Sequence, residues 1–174
     1  MSDQERNIGT PDFATLLDFL DETPTKLAQL IDGLSSAELR FKNSPAEFSA
    51  LENVCHLRDL ELRGYAPRIK RLLDETGPVL ADFDGARVAA ESDYNSEQAN
   101  LAVQTFTTAR RESVQTLKSL GEEQLKREGM LEGVGKITLE QLAEMMREHD
   151  EGHLYALRML RQQIERRRSR EASP

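Results

Sequence analysis

Residues 138–166 read TLEQLAEMMREHDEGHLYALRMLRQQIER and contain the longest helical pattern of the chain. Thr138 and Gln141 have the spacing of a capping box, in which two side chains satisfy free backbone N–H groups at a helix start. Apolar residues then recur every three or four positions, which predicts one amphipathic helix about 43 Å long. Its inward stripe consists of Leu142, Met146, His149, His153, Leu157, Leu160 and Ile164.

A first helix is predicted well before this one, near the start of the chain. Thr10 suits the N-cap position and Pro11 the first helical position, since a proline there loses no hydrogen bond. The apolar stripe continues as far as Leu34. Pro24 lies inside the pattern and is predicted to interrupt and bend the helix. Residues 33–45 carry the turn that follows.

The second predicted helix opens at another capping box, formed by Ser49 and Glu52. It continues to about Glu75, where Gly77–Pro78 is a stop signal. Pro67 lies inside this helix and predicts a second kink.

A third helix is predicted over about residues 96–120. Arg110 falls within its apolar stripe, where a charged residue is not expected. Residues 77–94 and 121–136 form long connections, which favour crossovers over tight hairpins. The sequence therefore predicts an all-α four-helix bundle with long connections between helices 2 and 3 and between helices 3 and 4.

Length and composition predict a single domain over residues 10–168, with flexible tails at 1–9 and 169–174. The chain has 174 residues, a net charge of −8, no Trp and one Cys. Such a charge argues against binding nucleic acid, and the arginine-rich stretch at 166–170 is interpreted as a solvated tail. One cysteine excludes an internal disulfide and fits a reducing compartment. No segment is apolar enough to span a membrane, so a cytoplasmic protein is expected.

Three histidines carry the case for function, and they are the only ones in the chain: His56, His149 and His153. The spacing i, i+4 places the last two on one face of a helix. Each buried imidazole needs a polar partner, and one metal ion would serve both. His56 from the second helix would supply a third nitrogen. Three imidazoles leave open coordination positions, as in a catalytic rather than a structural metal site.

Carboxylates near the histidines in sequence are candidates for orienting the imidazole rings. These are Glu52, Asp59 and Asp150, and the sequence does not rank them. Glu52 is alternatively a direct fourth ligand, although its capping role competes for the same side chain. Cys55 points toward the core stripe and is expected to be an inert buried thiol.

Two stretches of the sequence resemble motifs of the DinB/YfiT-like family of bacterial metalloenzymes. They are FSALENVCHLRDLE at 48–61 and ITLEQLA at 137–143 followed by EHDEGHL at 148–154. The resemblance implies a four-helix bundle, commonly a homodimer, that binds a nickel-, zinc- or manganese-type ion through the three histidines. Phe48 departs from the tryptophan frequent in the family at that position. Arg110 matches an arginine frequent in the third helix, and its favoured interpretation is an ion-paired structural residue.

Three functions follow as hypotheses. The first is a metal-dependent enzyme acting on a small-molecule substrate. Relatives such as bacillithiol S-transferases and mycothiol-dependent maleylpyruvate isomerases imply transfer of a low-molecular-weight thiol cosubstrate, with metal-assisted hydrolysis as the alternative. The second is a non-catalytic, stress-associated metal-binding dimer. The third is a metal-free interaction module whose histidines respond to pH.

Overall fold

The computed structural model describes residues 12–172. The helices in chain order are α1 (Phe13–Ile31), α2 (Ser36–Leu39), α3 (Ala50–Leu60), α4 (Ala66–Asp74), α5 (Gly85–Glu91), α6 (Ala99–Lys118), α7 (Glu122–Leu125) and α8 (Leu139–Glu171). The strands are β1 (Val79–Leu80), β2 (Glu128–Leu131) and β3 (Gly135–Thr138). Helix α1 packs against α6 and α8, and α3 packs against α6 and α8. The predicted helical bundle is confirmed, with a small sheet added to it.

Both predicted capping boxes are present, and they fix where α3 and α8 begin. The Ser49 N–H donates to the Glu52 carboxylate at 2.7 Å, and the Glu52 N–H donates to Ser49 Oγ at 3.1 Å. Thr138 and Gln141 make the same exchange at 2.9 and 3.1 Å. The start of each helix sets the rotation of the residues that follow it, including the three histidines.

Helix α1 differs from the prediction because it continues without a break through Pro24. The neighbouring Thr23 hydroxyl donates to the Phe19 carbonyl at 3.0 Å, one turn earlier. The predicted start of this helix at Thr10 and Pro11 lies outside the described residues. The turn after it contains the short helix α2, which was not predicted.

The second segment is not one regular α-helix, because a π-helical turn at Glu61–Tyr65 separates α3 from α4. The Ala66 N–H donates to the Glu61 carbonyl, five residues back instead of four. Pro67 follows directly at the start of α4 and has no N–H to donate. A π-helical turn contains one residue more than an α-helical turn, so the segment accommodates an extra residue at this point.

The two long connections hold the three-stranded sheet. Strand β2 pairs in parallel with β1 and antiparallel with β3. Gly133 and Gly135 have φ of 77° and 112°, so the hairpin between β2 and β3 uses backbone conformations that favour glycine. The strands are too short to show alternation in the sequence, which explains why they were not predicted.

Two apolar clusters fill the bundle, one around Leu142 and Met146 and the other around Leu157 and Phe106. Between them the bundle contains a layer of polar side chains. This polar layer consists of Asn53, His56, Glu61, Arg110, Ser113, His149, Asp150 and His153. The candidate site therefore lies across the middle of the bundle, held on both sides by packed apolar residues.

The C-terminal helix is longer than predicted and ends at Glu171 instead of near Arg166. Arg168 pairs with Glu38 at 2.6 Å and donates to the Gly33 carbonyl at 2.9 Å. Part of the arginine-rich stretch thus contacts the region around α2. No helix in residues 12–172 is long and apolar enough to cross a membrane.

Candidate metal centre

The three histidines meet at one point between α3 and α8. His149 Nε2 lies 3.2 Å from His56 Nε2 and 3.2 Å from His153 Nε2. His56 comes from α3, 93 positions away from His149 in the chain. The fold therefore brings together the three residues that the sequence analysis singled out.

Asn53 sets the orientation and tautomer of His153. The Asn53 amide nitrogen donates to the carbonyls of Ser49 at 2.8 Å and Phe48 at 3.3 Å, so its oxygen is free to accept. That oxygen lies 2.6 Å from His153 Nδ1. His153 must donate through Nδ1, and its Nε2 then carries the lone pair that faces His56 and His149.

All three imidazoles favour the neutral form. Burial lowers the pKa of His56, against the opposing effect of the Asp59 charge. Burial lowers the pKa of His149 to about 4, with smaller contributions from His56 and Arg110. Burial and the two neighbouring histidines lower the pKa of His153 to about 3. Neutral imidazoles have the lone pairs that a metal ion requires.

The donor set fits a divalent metal ion. Nitrogens bonded to a tetrahedral zinc-type ion lie about 3.3 Å from one another, close to the 3.2 Å that separates His149 Nε2 from Nε2 of His56 and of His153. The converging nitrogens cannot all satisfy each other, because a neutral imidazole has only one N–H to donate. The Nδ1 atoms of His56 and His149 are buried without a hydrogen-bond partner among the described residues.

Two aromatic rings and a closely packed glycine hold the ring of His56 in position. Its ring centroid lies 5.4 Å from that of Phe48 and 6.2 Å from that of Phe83. A Cβ atom placed on Gly85, the first residue of α5, would lie 2.5 Å from His56 Cε1. Only a glycine therefore lets α5 approach this imidazole so closely.

The three predicted carboxylates have other partners, which corrects their expected role. Glu52 caps α3 and pairs with Lys42 at 3.0 Å. Asp59 accepts from the Tyr94 hydroxyl at 2.9 Å and from Arg58 at 2.7 Å. In residues 12–172 no hydrogen bond joins these carboxylates, or Asp150, to a histidine. Among the described residues, it is the side-chain oxygen of Asn53, and not a carboxylate, that accepts a hydrogen bond from one of the three histidines, His153.

Asp150 belongs instead to a buried ion network around Arg110. Arg110 donates from Nε to Glu61 at 2.9 Å and from both terminal nitrogens to Asp150. Ser113 also donates to Glu61, and all these side chains are buried. The network joins α6, α8 and the π-helical turn, so Arg110 is an ion-paired structural residue, as the sequence analysis favoured.

Two residues of the site were missed from the sequence. Asn53 is a polar residue on the buried side of α3, and its polarity in that position was the available signal. Gly85 offered no signal, because its role depends on how α5 packs against α3.

A groove of about 670 Å³ opens beside His149 and His153. This volume lies within the range of small-molecule binding sites in proteins. The groove is lined by Asn43, Ala46, Glu47, Phe48, Asn53, Glu148, His149, Gly152, His153, Tyr155, Ala156, Met159 and Leu160.

Comparison with known proteins places the chain in a family. Residues 19–157 match the DinB superfamily. The chain belongs to this superfamily. A solved structure with the same fold is that of YfiT from Bacillus subtilis, described as a probable metal-dependent hydrolase with an unusual four-helix bundle topology. It is 20% identical, with a TM-score of 0.82 over 94% of this chain and 93% of that one. No curated protein matches the chain.

The resemblance seen in the sequence is thereby confirmed at the level of family and fold. At this level of identity, the likeness to YfiT concerns the fold alone.

Proposed function

We propose that this protein is a divalent-metal-dependent enzyme in which His56, His149 and His153 hold the ion. The observation that carries the proposal is the convergence of the three imidazoles beside a groove of substrate size, with His149 Nε2 lying 3.2 Å from Nε2 of each of the other two. Three nitrogen ligands leave positions for a nucleophile and a substrate, as in catalytic metal sites.

A bound divalent ion would act as a Lewis acid and make a water or thiol nucleophile more acidic. The residues of the chain prepare for this chemistry. Burial keeps the imidazoles neutral, and Asn53 holds the His153 ring in place. The groove along α8 would hold the electrophile next to His149 and His153.

Two reactions are consistent with such a site. The description of YfiT as a probable metal-dependent hydrolase supports hydrolysis. The resemblance to bacillithiol S-transferases supports transfer of a low-molecular-weight thiol. Both reactions need an activated nucleophile next to a bound small-molecule substrate, and this is the step that they share.

Nickel, zinc or manganese is the proposed type of ion. Imidazole nitrogens suit nickel and zinc, whereas magnesium and calcium prefer oxygen ligands. The family resemblance supports the proposal that the protein is a homodimer. Its single cysteine, which is buried and unpaired, supports the proposal that it is cytoplasmic. Sedimentation of the purified protein measures the oligomeric state.

A purely structural role for the ion is the competing hypothesis. An ion that only braced α3 against α8 would need no adjoining space. The groove reaches two of the three histidines, which favours catalysis over bracing.

The decisive experiment is metal analysis of untagged protein, followed by a screen of small esters, amides and thiol acceptors. The wild-type protein should contain about one ion per chain, and His153→Ala should contain none, because two imidazoles bind weakly. Gln162→Ala, at an exposed position of the same helix, is the control and should keep its ion. An unchanged metal content in His153→Ala would contradict the assignment.

A further inference from the structure

The groove beside the histidines has an apolar wall along α8. Ala156, Met159 and Leu160 continue from His153 toward the C-terminal end of this helix, and Phe48 faces them from the start of α3. The Phe48 ring is stacked on His153, with centroids 6.4 Å apart. A molecule bound here would place an apolar body against this wall and one end at the imidazoles.

The charges at the rim of the groove are negative. Glu47 and Glu148 line it, and both are exposed. Glu47 accepts hydrogen bonds from Asn43 and Ser44, which are uncharged. Among the described residues, no lysine or arginine lines the groove or forms an ion pair with either glutamate. No basic side chain that lines the groove therefore neutralises these two glutamates.

Gly152 keeps the groove open at the level of the histidines. It lies inside α8, where a glycine weakens the helix relative to alanine. A Cβ atom placed on Gly152 would meet nothing within 4 Å, so no neighbouring atom requires glycine at this position. Its effect is to leave space between His149 and His153 on the groove side.

We propose that this groove binds a small, largely apolar substrate that carries a positive charge. The inference rests on the proposed function, since it takes the groove as the substrate site of the metal centre. The apolar wall would bind the body of the substrate, and Glu47 and Glu148 would attract its charge.

The test compares three probes of matched size: phenylbutylamine, phenylbutanol and phenylbutyrate. Binding to the full-length protein is measured by calorimetry, both as purified and after treatment with a chelator. The amine should bind about fivefold more tightly than the alcohol, the effect of one exposed charge pair at close range. The carboxylate should bind more weakly than the alcohol in the chelated protein, where no ion can coordinate it. Equal affinity for amine and alcohol, or tighter binding of the carboxylate there, would overturn the proposal.

Variants locate the binding in the groove. The double variant Glu47→Gln, Glu148→Gln should bind amine and alcohol equally well. Glu123→Gln, on the exposed side of α7, is a control for charge and should keep the preference for the amine. Gly152→Leu should weaken binding of both probes at least tenfold, since its side chain would fill the space in front of the histidines. Full binding by Gly152→Leu would place the probes elsewhere and refute the inference.

This design separates the two proposals. Loss of the metal assignment with the amine preference intact would refute the proposed function alone. A normal metal content with no preference for the amine would refute only the inferred substrate class.

Discussion

At the scale of the residue, Asn53 decides which nitrogen of His153 faces the site. Its side chain makes two kinds of contact: the amide nitrogen donates to backbone carbonyls at the start of α3, and the oxygen accepts from His153 Nδ1. Partners of this kind fix the ring of a metal-binding histidine and make it more basic. Substitutions of Asn53 by alanine and by aspartate distinguish the effect of the contact with His153 from that of the contacts with the backbone.

Asn53→Ala should lower the affinity for zinc about 10- to 100-fold, the usual effect of losing such a partner. Asn53→Asp should lower it much less, because a carboxylate oxygen still accepts from His153. Both variants lose the donors to Ser49 and Phe48, so any common loss of stability cancels in the comparison. The measurement is competition with a colorimetric chelator. Equal affinities in the two variants would show that the contact with His153 does not support metal binding.

Gly85 acts on the site by having no side chain. Gly85→Ala should displace the His56 ring, since the new Cβ would lie 2.5 Å from Cε1. We expect an affinity for zinc at least about tenfold lower, because small displacements of a ligand weaken metal binding. Titration with zinc checks this.

Gly152→Ala is the matched control for Gly85→Ala. Its Cβ meets nothing within 4 Å, so the affinity for zinc should not change. The free energy of unfolding should increase by about 0.5–1 kcal/mol, because alanine favours the helix. The same affinity in Gly85→Ala as in Gly152→Ala would contradict the positioning role of Gly85.

At the scale of the element, the buried network around Arg110 holds three helical segments in a fixed arrangement. One guanidinium from α6 lies between Glu61 of the π-helical turn and Asp150 of α8. Asp150 directly follows His149, so the network also fixes the rotation of α8 at the site. The π-helical turn begins at Glu61 itself.

Arg110→Met should lower the free energy of unfolding by about 3–5 kcal/mol, because two buried carboxylates lose their partner. Lys118→Met is the control from the same helix. It breaks an exposed pair with Asp21 and should cost no more than about 1 kcal/mol. Urea unfolding of both variants gives the comparison. Similar losses in the two variants would show that the Arg110 network does not stabilise the bundle.

The long helices and their capping boxes were predictable from the sequence, because spacing and caps are local signals. Helix α8 is the clearest case, with Thr138 and Gln141 at its start and a regular stripe after them. The π-helical turn before Pro67 was not predictable, since its wide hydrogen bonding leaves no pattern of its own. The short strands β1–β3 form only where two distant connections meet, which a local pattern cannot show.

The histidines were predictable for a different reason: they are rare, and two of them interrupt an apolar stripe. Their partners were not predictable by the same logic. Glu52, Asp59 and Asp150 are close to the histidines in sequence, but helix rotation turns each toward another partner. Asn53 is one turn from His56, yet it contacts His153, 100 positions away.

At the scale of the whole molecule, the site joins parts of the chain that are far apart. His56 lies on α3 and the other two histidines on α8, with the polar layer between two apolar clusters. A ligand that binds only where these helices meet binds the folded state and not the unfolded one. Binding must then stabilise the entire bundle by mass action.

Zinc or nickel should therefore raise the unfolding temperature of the chelator-treated protein. At a concentration about 1,000 times the dissociation constant, the stabilisation is about 4 kcal/mol. Magnesium should have little effect, because it prefers oxygen ligands. His153→Ala should lose the response to zinc, whereas Gln162→Ala should keep it. A response to zinc in His153→Ala as large as in the wild type, or an equal response to magnesium, would mean that stabilisation arises elsewhere than at the three imidazoles.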